Sequence, residues 1–395
     1  MKDVKISDYL WFQEGPGVRN TQYTTSGVKL INVANLVDGN VDLSTSDRYI
    51  SEEEAYGKYN HFLADDGDFV IASSGIKIDY FDKKMGFIKK EHLPLCMNTS
   101  CIRFKVLDTN NLEIKYFMYY LKSNSFKKQL FNQITGSAQL NFGPSHLKKM
   151  TFPLIELKEQ KRIIERLDKT QNIIKETKSL LSKYDTLIKS RFIEMFGDNP
   201  IENGKWKAEK LGNLGLCKNG MNFSYEDNGF EINCLGVGDF KDNAIISNCE
   251  KLPVISLNEK PSEEYLLKDN DIVFVRSNGK KELVGRSVLV HPRVLTTFSG
   301  FCIRFRLSTD SINHLFLLQF LKMPNTRKNM AGRGANIQNL NQQILSNLDI
   351  PVPQIELQND FATFVQQIDK SKFAVQKSLE KAETLYKSLM QEYFK

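Results

Sequence analysis

The sequence predicts an α+β chain built as two tandem copies of one unit, each a globular part followed by a long helix. Three observations carry this: an in-register repeat, short β-like runs broken by turn residues, and a sustained 3.5-residue apolar period at the end of each copy. The tetrapeptide CIRF stands at residues 101–104 and again at 302–305. Its neighbours repeat too. GDFVIASSG (67–75) lies over NDIVFVRSNG (270–279), LEIKYFMYYLK (112–122) over INHLFLLQFLK (312–322), and FPLIELKEQ (152–160) over IPVPQIELQ (350–358). The offset drifts from 203 through 201 and 200 to 198, as successive loop deletions would make it.

Within each globular part, runs such as 28–36, 68–73, 271–277 and 302–307 read as strands, and one helix is expected at 112–122 and at 312–322. The proline and glycine signals then stop. A 4-3 apolar pattern runs through Ile163, Leu167, Ile174, Leu181 and Ile188, and again through Phe361, Val365, Ile368, Val375, Leu379 and Tyr386. A period of 3.5 held over more than four heptads marks a coiled-coil seam. The expected boundaries are a globe over 1–155, a helix over 156–197, a second globe over 198–352 and a second helix over 353–395. Pairing the two helices antiparallel gives a pseudo-twofold dumbbell; packing of each helix on its own globe is the alternative.

Composition excludes several classes. Apolar residues make up 41% and charged residues 26%, ordinary values for a globular protein. The first ten residues lack an apolar secretory core, and the longest strongly apolar stretch, 314–321, is too short for a bilayer, so no membrane association is expected. Six cysteines without a CxxC pair argue against zinc or a disulfide framework and for a cytoplasmic protein with reduced thiols. The net charge of +7 permits nucleic-acid binding without establishing it. No phosphate loop, nucleophile elbow or HExxH helix occurs, and the five histidines are dispersed. Asp108, Glu113 and Lys115 can be imagined as a metal-dependent nuclease set, but copy two has Asn313 and Leu315 at the matching positions.

What recurs is material for contacting nucleic acid. Copy two leaves a strand on RSNGKK, placing Arg276, Ser277, Asn278, Lys280 and Lys281 together; copy one has Ser73, Ser74 and Lys77 there. A second polar loop carries Arg333, Asn336 and Gln338 in copy two, and Gln139 and Asn141 in copy one. Beside these stand Lys127 and Lys128, matched by Arg327 and Lys328. Asn and Gln can hydrogen-bond adenine edges, Arg guanine edges, and the lysines phosphates. Solvated turns are the plain alternative for any one loop.

The twofold repeat, the helix entries FPLIELKEQKRI and IPVPQIELQNDF, the exit LIKSRFIEMFGD, and LINVANL and CLGVGDF near the start of each copy together resemble the specificity subunit of type I restriction-modification systems. The resemblance covers the whole chain. It implies two target-recognition domains, each reading half of a split double-stranded DNA site. The helices would separate the domains and dock two methyltransferase subunits, which recruit restriction and translocase subunits. It also implies a non-catalytic chain without cofactors, with S-adenosylmethionine, ATP and Mg on partner subunits only. A methylation-only or type II-like complex, a free-standing nuclease and a coiled-coil scaffold are the competing readings.

Overall fold

The computed structural model describes residues 2–133, 140–201, 204–224, 227–240, 244–331 and 339–395. The chain compacts into two units. Unit 1 is Met1–Thr177 with Ser378–Lys395; unit 2 is Lys178–Lys377. Compaction therefore assigns part of each long helix to each unit.

In unit 1 an antiparallel four-stranded sheet runs in the order Leu10–Glu14, Cys101–Val106, Phe69–Ala72, Met85–Phe87. A second sheet joins Leu95–Met97, Val28–Ile31 and Tyr49–Ile50, and Lys2–Lys5 pairs with Thr151–Leu154. Unit 2 repeats this frame. Its main sheet runs Gly215–Asn219, Cys302–Leu307, Asp271–Val275, Ser287–Val290, Ile245–Ile246; Phe230–Leu235 lies between Val254–Leu257 and Thr296–Phe298; Lys207–Lys210 pairs with Asp349–Val352.

The frame explains the repeated tetrapeptide. CIRF begins the strand that pairs on both edges in each main sheet, and all four residues are buried in both copies. A continuous apolar run is what a doubly covered strand needs. The arginine inside it is the exception, and the copies satisfy it differently. Arg103 donates to Asp68 at 3.1 Å and to the carbonyl of His61 at 2.8 Å. In unit 2 the equivalent Asp271 instead receives both prongs of Arg306, two residues further on, at 2.7 Å each. Copy one has Lys105 at that place, a single ammonium 3.5 Å from Asp68. An arginine fork can take a carboxylate two ways and a lysine cannot, so the ion pair moves by one same-face position.

The long helices are Leu157–Phe196 and Ile355–Tyr393. Within unit 1, Arg166 donates to the Tyr393 hydroxyl and Gln171 to that of Tyr386, each at 3.0 Å. Within unit 2, Lys372 pairs with Asp185 at 2.6 Å, and the Phe192 and Phe361 rings meet edge to face. Rising numbers on one helix face falling numbers on the other, so the segments run antiparallel in each unit. Ile163 and Leu167 also enter the core of unit 1, and Ile188, Phe192, Phe361 and Val365 that of unit 2. The helices thus pair with each other and pack on the globes, the two arrangements the sequence left as alternatives. Ile174, Leu181, Ile368, Val375 and Tyr386 are half-buried, and Leu379 is buried.

Candidate nucleic-acid interface

Each unit builds its loop cluster on the same backbone scaffold. In unit 1 the strand Phe69–Ala72 ends and Ser73 follows. The Ser73 N–H donates to the Ser100 carbonyl at 2.9 Å, and the Ser73 carbonyl accepts from the Phe142 N–H at 3.0 Å. In unit 2 Arg276 takes that place: its N–H donates to Phe301 at 2.8 Å, and its carbonyl accepts from Leu340, also at 2.8 Å. Strand exit, the turn before CIRF and the second polar loop are therefore tied together in both units. Pairing extends the tie, with Ser74–Ile76 against Leu140–Asn141 in unit 1 and a bridge from Ser277 to Asn339 in unit 2.

The side chains on this shared frame differ. Ser73 is fully buried and its hydroxyl donates to Glu14, so it presents nothing at a surface, contrary to its candidate role. Ser74 is half-buried and donates to the Ser100 hydroxyl at 2.5 Å, while Lys77 and Asn141 are exposed. In unit 2 Arg276 is half-buried, one guanidinium nitrogen donating to the Gly300 carbonyl at 3.3 Å. Ser277 and Asn278 are half-buried, and Lys280 is exposed, with its N–H donating to the Asn278 carboxamide oxygen at 2.8 Å. That last bond is an Asx turn, which holds the loop tip in shape.

Two of the flanking cations have partners within the fold. Lys127 pairs with Asp82 at 2.7 Å. Arg327 is half-buried and donates to the carbonyls of Glu282 and Val284, and burial lowers its pKa. Lys128 and Lys328 are exposed. Gln139, Arg333, Asn336, Gln338 and the Lys281 side chain lie outside the described residues.

One residue of this cluster escapes sequence reasoning. Phe301, in the turn before CIRF, is 63% exposed although its carbonyl anchors both Arg276 and Ser277. Copy one has Ser100 there. The only signal is an aromatic residue at a turn position matched by serine.

The side chains of the imagined nuclease set have partners within the fold: Asp108 accepts from the Asn110 N–H, Lys115 pairs with Asp168, and Glu113 pairs with Lys161 at 3.5 Å. Among the described residues no group of His, Cys, Asp or Glu is placed to hold a metal ion, and no helix is long and apolar enough to cross a membrane.

The family model described as type I restriction modification DNA specificity domain matches residues 18–183 and again 203–383. The chain belongs to this family. It carries the domain twice, one match falling on each copy of the repeat. The type I restriction enzyme StySPI specificity subunit of Salmonella potsdam is 27% identical over 296 residues, 70% of this chain and 63% of that relative. The chain thus aligns to somewhat under two thirds of that protein's length. A putative type I restriction enzyme MjaX specificity subunit of Methanocaldococcus jannaschii is 23% identical over 92% of this chain and 85% of its own. Among solved structures, the type I restriction-modification S subunit from M. genitalium superposes with a TM-score of 0.57 at 15% identity, covering 100% of this chain and 96% of that one. This last likeness is one of fold.

Proposed function

We propose that this family member is the DNA-reading subunit of a type I restriction-modification complex, each unit reading one half of a bipartite, asymmetric double-stranded target. The observation that carries it is the shared scaffold with unlike side chains. Ser73 and Ser100 in unit 1 stand where Arg276 and Phe301 stand in unit 2, on matching backbone hydrogen bonds. A common frame positions a reader, and the side chains exposed on it, Lys77 and Asn141 in unit 1 against Lys280 and Phe301 in unit 2, give each reader its own half-site. The StySPI and MjaX relatives, both named as specificity subunits, support the same reading.

The long helices are the docking platform for two methyltransferase subunits, through which restriction subunits join. Unit 1 exposes Ile173 and Leu385, at matching levels in the register set by Gln171 and Tyr386. Unit 2 exposes Leu180 and Leu187, one heptad apart, and Phe373. Single exposed apolar residues are unremarkable, but pairs aligned beside a coiled-coil seam fit a partner helix. In this reading the chain has no catalytic centre of its own, and S-adenosylmethionine, ATP and Mg belong to its partners.

The test is to map methylated bases in DNA from a host carrying the complete complex, before and after exchanging residues 1–155 for those of a relative. One half-site should change and the other stay. A change in both halves would refute two independent readers, and cleavage by the purified chain with a divalent metal would favour the nuclease reading.

A further inference from the structure

Unit 2 has a half-open cavity of about 400 Å³, bounded by strand Ser287–Val290, helix His314–Leu321 and the unit-2 segments of both long helices. Five cationic side chains line it against two carboxylates. One of those cations, Lys372, is neutralised by Asp185. Lys322 is half-buried and its ammonium makes no ion pair or hydrogen bond among the described residues; burial lowers its pKa to about 8 against the opposing pull of Asp185 and Asp369. Arg327 uses one terminal nitrogen, Nη2, on the carbonyls of Glu282 and Val284, which leaves its other nitrogens without a partner among the described residues. Ser287, on the same wall, is 6% exposed; its hydroxyl has no hydrogen-bond partner among the described residues and is itself closed off from solvent. Groups of these kinds left unsatisfied cost stability.

Unit 1 fills the same place differently while keeping the buried lysine. Met85 pairs with Ile71 as Ser287 pairs with Phe274, so Met85 takes the place of Ser287 and is buried in the apolar core. Lys127, the counterpart of Arg327, is neutralised by Asp82 at 2.7 Å. Lys122, the counterpart of Lys322, stands over the Tyr119 ring. At the repeat offset of 198, Gln171 and Ile174 stand where unit 2 has Asp369 and Lys372. Unit 2 has thus exchanged an apolar filling for an orphan hydroxyl beside an open space, while the buried lysine is common to both units.

We infer that this cavity is a binding site for a small phosphate-bearing molecule, with Lys322 and Arg327 as donors to its phosphate oxygens. An ammonium and a guanidinium lining one space are donors that phosphate takes. Leu318 and Val365 give the wall an apolar side for the rest of the ligand. The volume falls in the range of roughly 300–1,000 Å³ usual for small-molecule sites. Residues 276–281 of the loop cluster are not among those that line it.

The test is calorimetric titration of the full chain with AMP, inorganic phosphate and adenosine at constant ionic strength. Saturable binding of one AMP is expected, weaker binding of phosphate and none of adenosine. Lys322→Met should weaken AMP by about ten-fold or more, the loss of one charge-assisted contact. Ser287→Met, which refills the space as unit 1 does, should abolish binding, and Lys122→Met in unit 1 should leave it unchanged. Circular dichroism checks that each variant is folded; if Lys322→Met is not, Ser287→Met alone decides. Absence of saturable AMP binding, equal binding of adenosine, or full affinity in Ser287→Met would overturn the assignment. Displacement of AMP by duplex DNA would overturn it too, reassigning the site to a backbone phosphate.

Discussion

The carboxamide of Gln160 accepts from the backbone N–H of Glu113 at 2.9 Å and donates to the carbonyls of Asn111 and Ile155, each at 2.8 Å. Gln358 does the same in unit 2, with the Asn313 N–H and the carbonyls of Ser311 and Pro353. Both glutamines are fully buried at the first turn of a long helix. One side chain therefore joins three segments: the loop before a short helix, that helix's start, and the entry to the long helix. Gln160→Leu keeps the volume and strands one donor and two acceptors. At about 1–3 kcal/mol for each buried polar group left unpaired, a loss of about 3 kcal/mol is expected in unit 1. Urea unfolding followed separately for the two units checks it, and a loss below about 1 kcal/mol would mean water replaces the amide.

Phe301 should matter to one half of the target only. An exposed ring beside Arg276 can stack on a base or meet a thymine methyl, worth about 1–3 kcal/mol of discrimination. Phe301→Ser, which installs the unit 1 residue, should relax the half-site read by unit 2 by about ten- to hundred-fold at one position. Because the side chain is 63% exposed, stability should be nearly unchanged. A motif identical to wild type in methylation mapping would place the ring off the DNA.

Arg276 and Lys280 answer a different question. Replacing both with alanine should weaken DNA binding by the assembled complex and lower the slope of log affinity against log salt by up to about two. Arg276 also donates to the Gly300 carbonyl, so a drop in affinity with no change of slope would make it a scaffold residue.

The helical faces separate into two roles that mutation can tell apart. Val375 is half-buried on the seam, so Val375→Asp places a carboxylate in a partly apolar interface and should cost several kcal/mol, roughly 2–4. Leu180 and Leu187 are exposed, so Leu180→Glu with Leu187→Glu should leave unfolding almost unchanged yet release a methyltransferase partner on gel filtration. Retained assembly in that double variant would move the docking face elsewhere on the chain.

The parts of this molecule that the sequence reveals are those where one residue's neighbours are set by period or repeat. CIRF is readable because a strand paired on both edges needs an unbroken buried run, and the seam because a 3.5-residue spacing has few other uses. The duplicated Gln160 and Gln358 lie inside the aligned helix entries, but nothing local says that they turn inward. Ser73 misleads for a related reason: its burial is decided by Glu14, 59 positions away. Lys127 and Arg327 share a place in the repeat, yet one finds Asp82 and the other two carbonyls. The repeat transmits the backbone frame between copies; it does not transmit which side chains that frame buries.

Lys322 gives a pH test that needs no ligand. Burial lowers its pKa to about 8 from an ordinary value of 10.5, so the folded chain binds this proton less tightly than the unfolded chain. Between those two values the unfolded state holds more protons, and stability from this group rises with pH. Below pH 8 the ammonium is charged in both states and the full burial penalty is present; above 10.5 it is neutral in both and the penalty is gone. Lys322→Met removes the titration, so it should stabilise unit 2 near pH 7 by up to about 3 kcal/mol, from roughly 1.4 kcal/mol per pKa unit. The difference between variant and wild type should shrink steadily from pH 8 to 10.5. Comparing the two proteins at each pH cancels the titrating groups that Lys322 does not touch; Asp369, whose pKa Lys322 pulls down, is not among them. A difference independent of pH would mean that Lys322 reaches water and is charged as freely as a surface lysine.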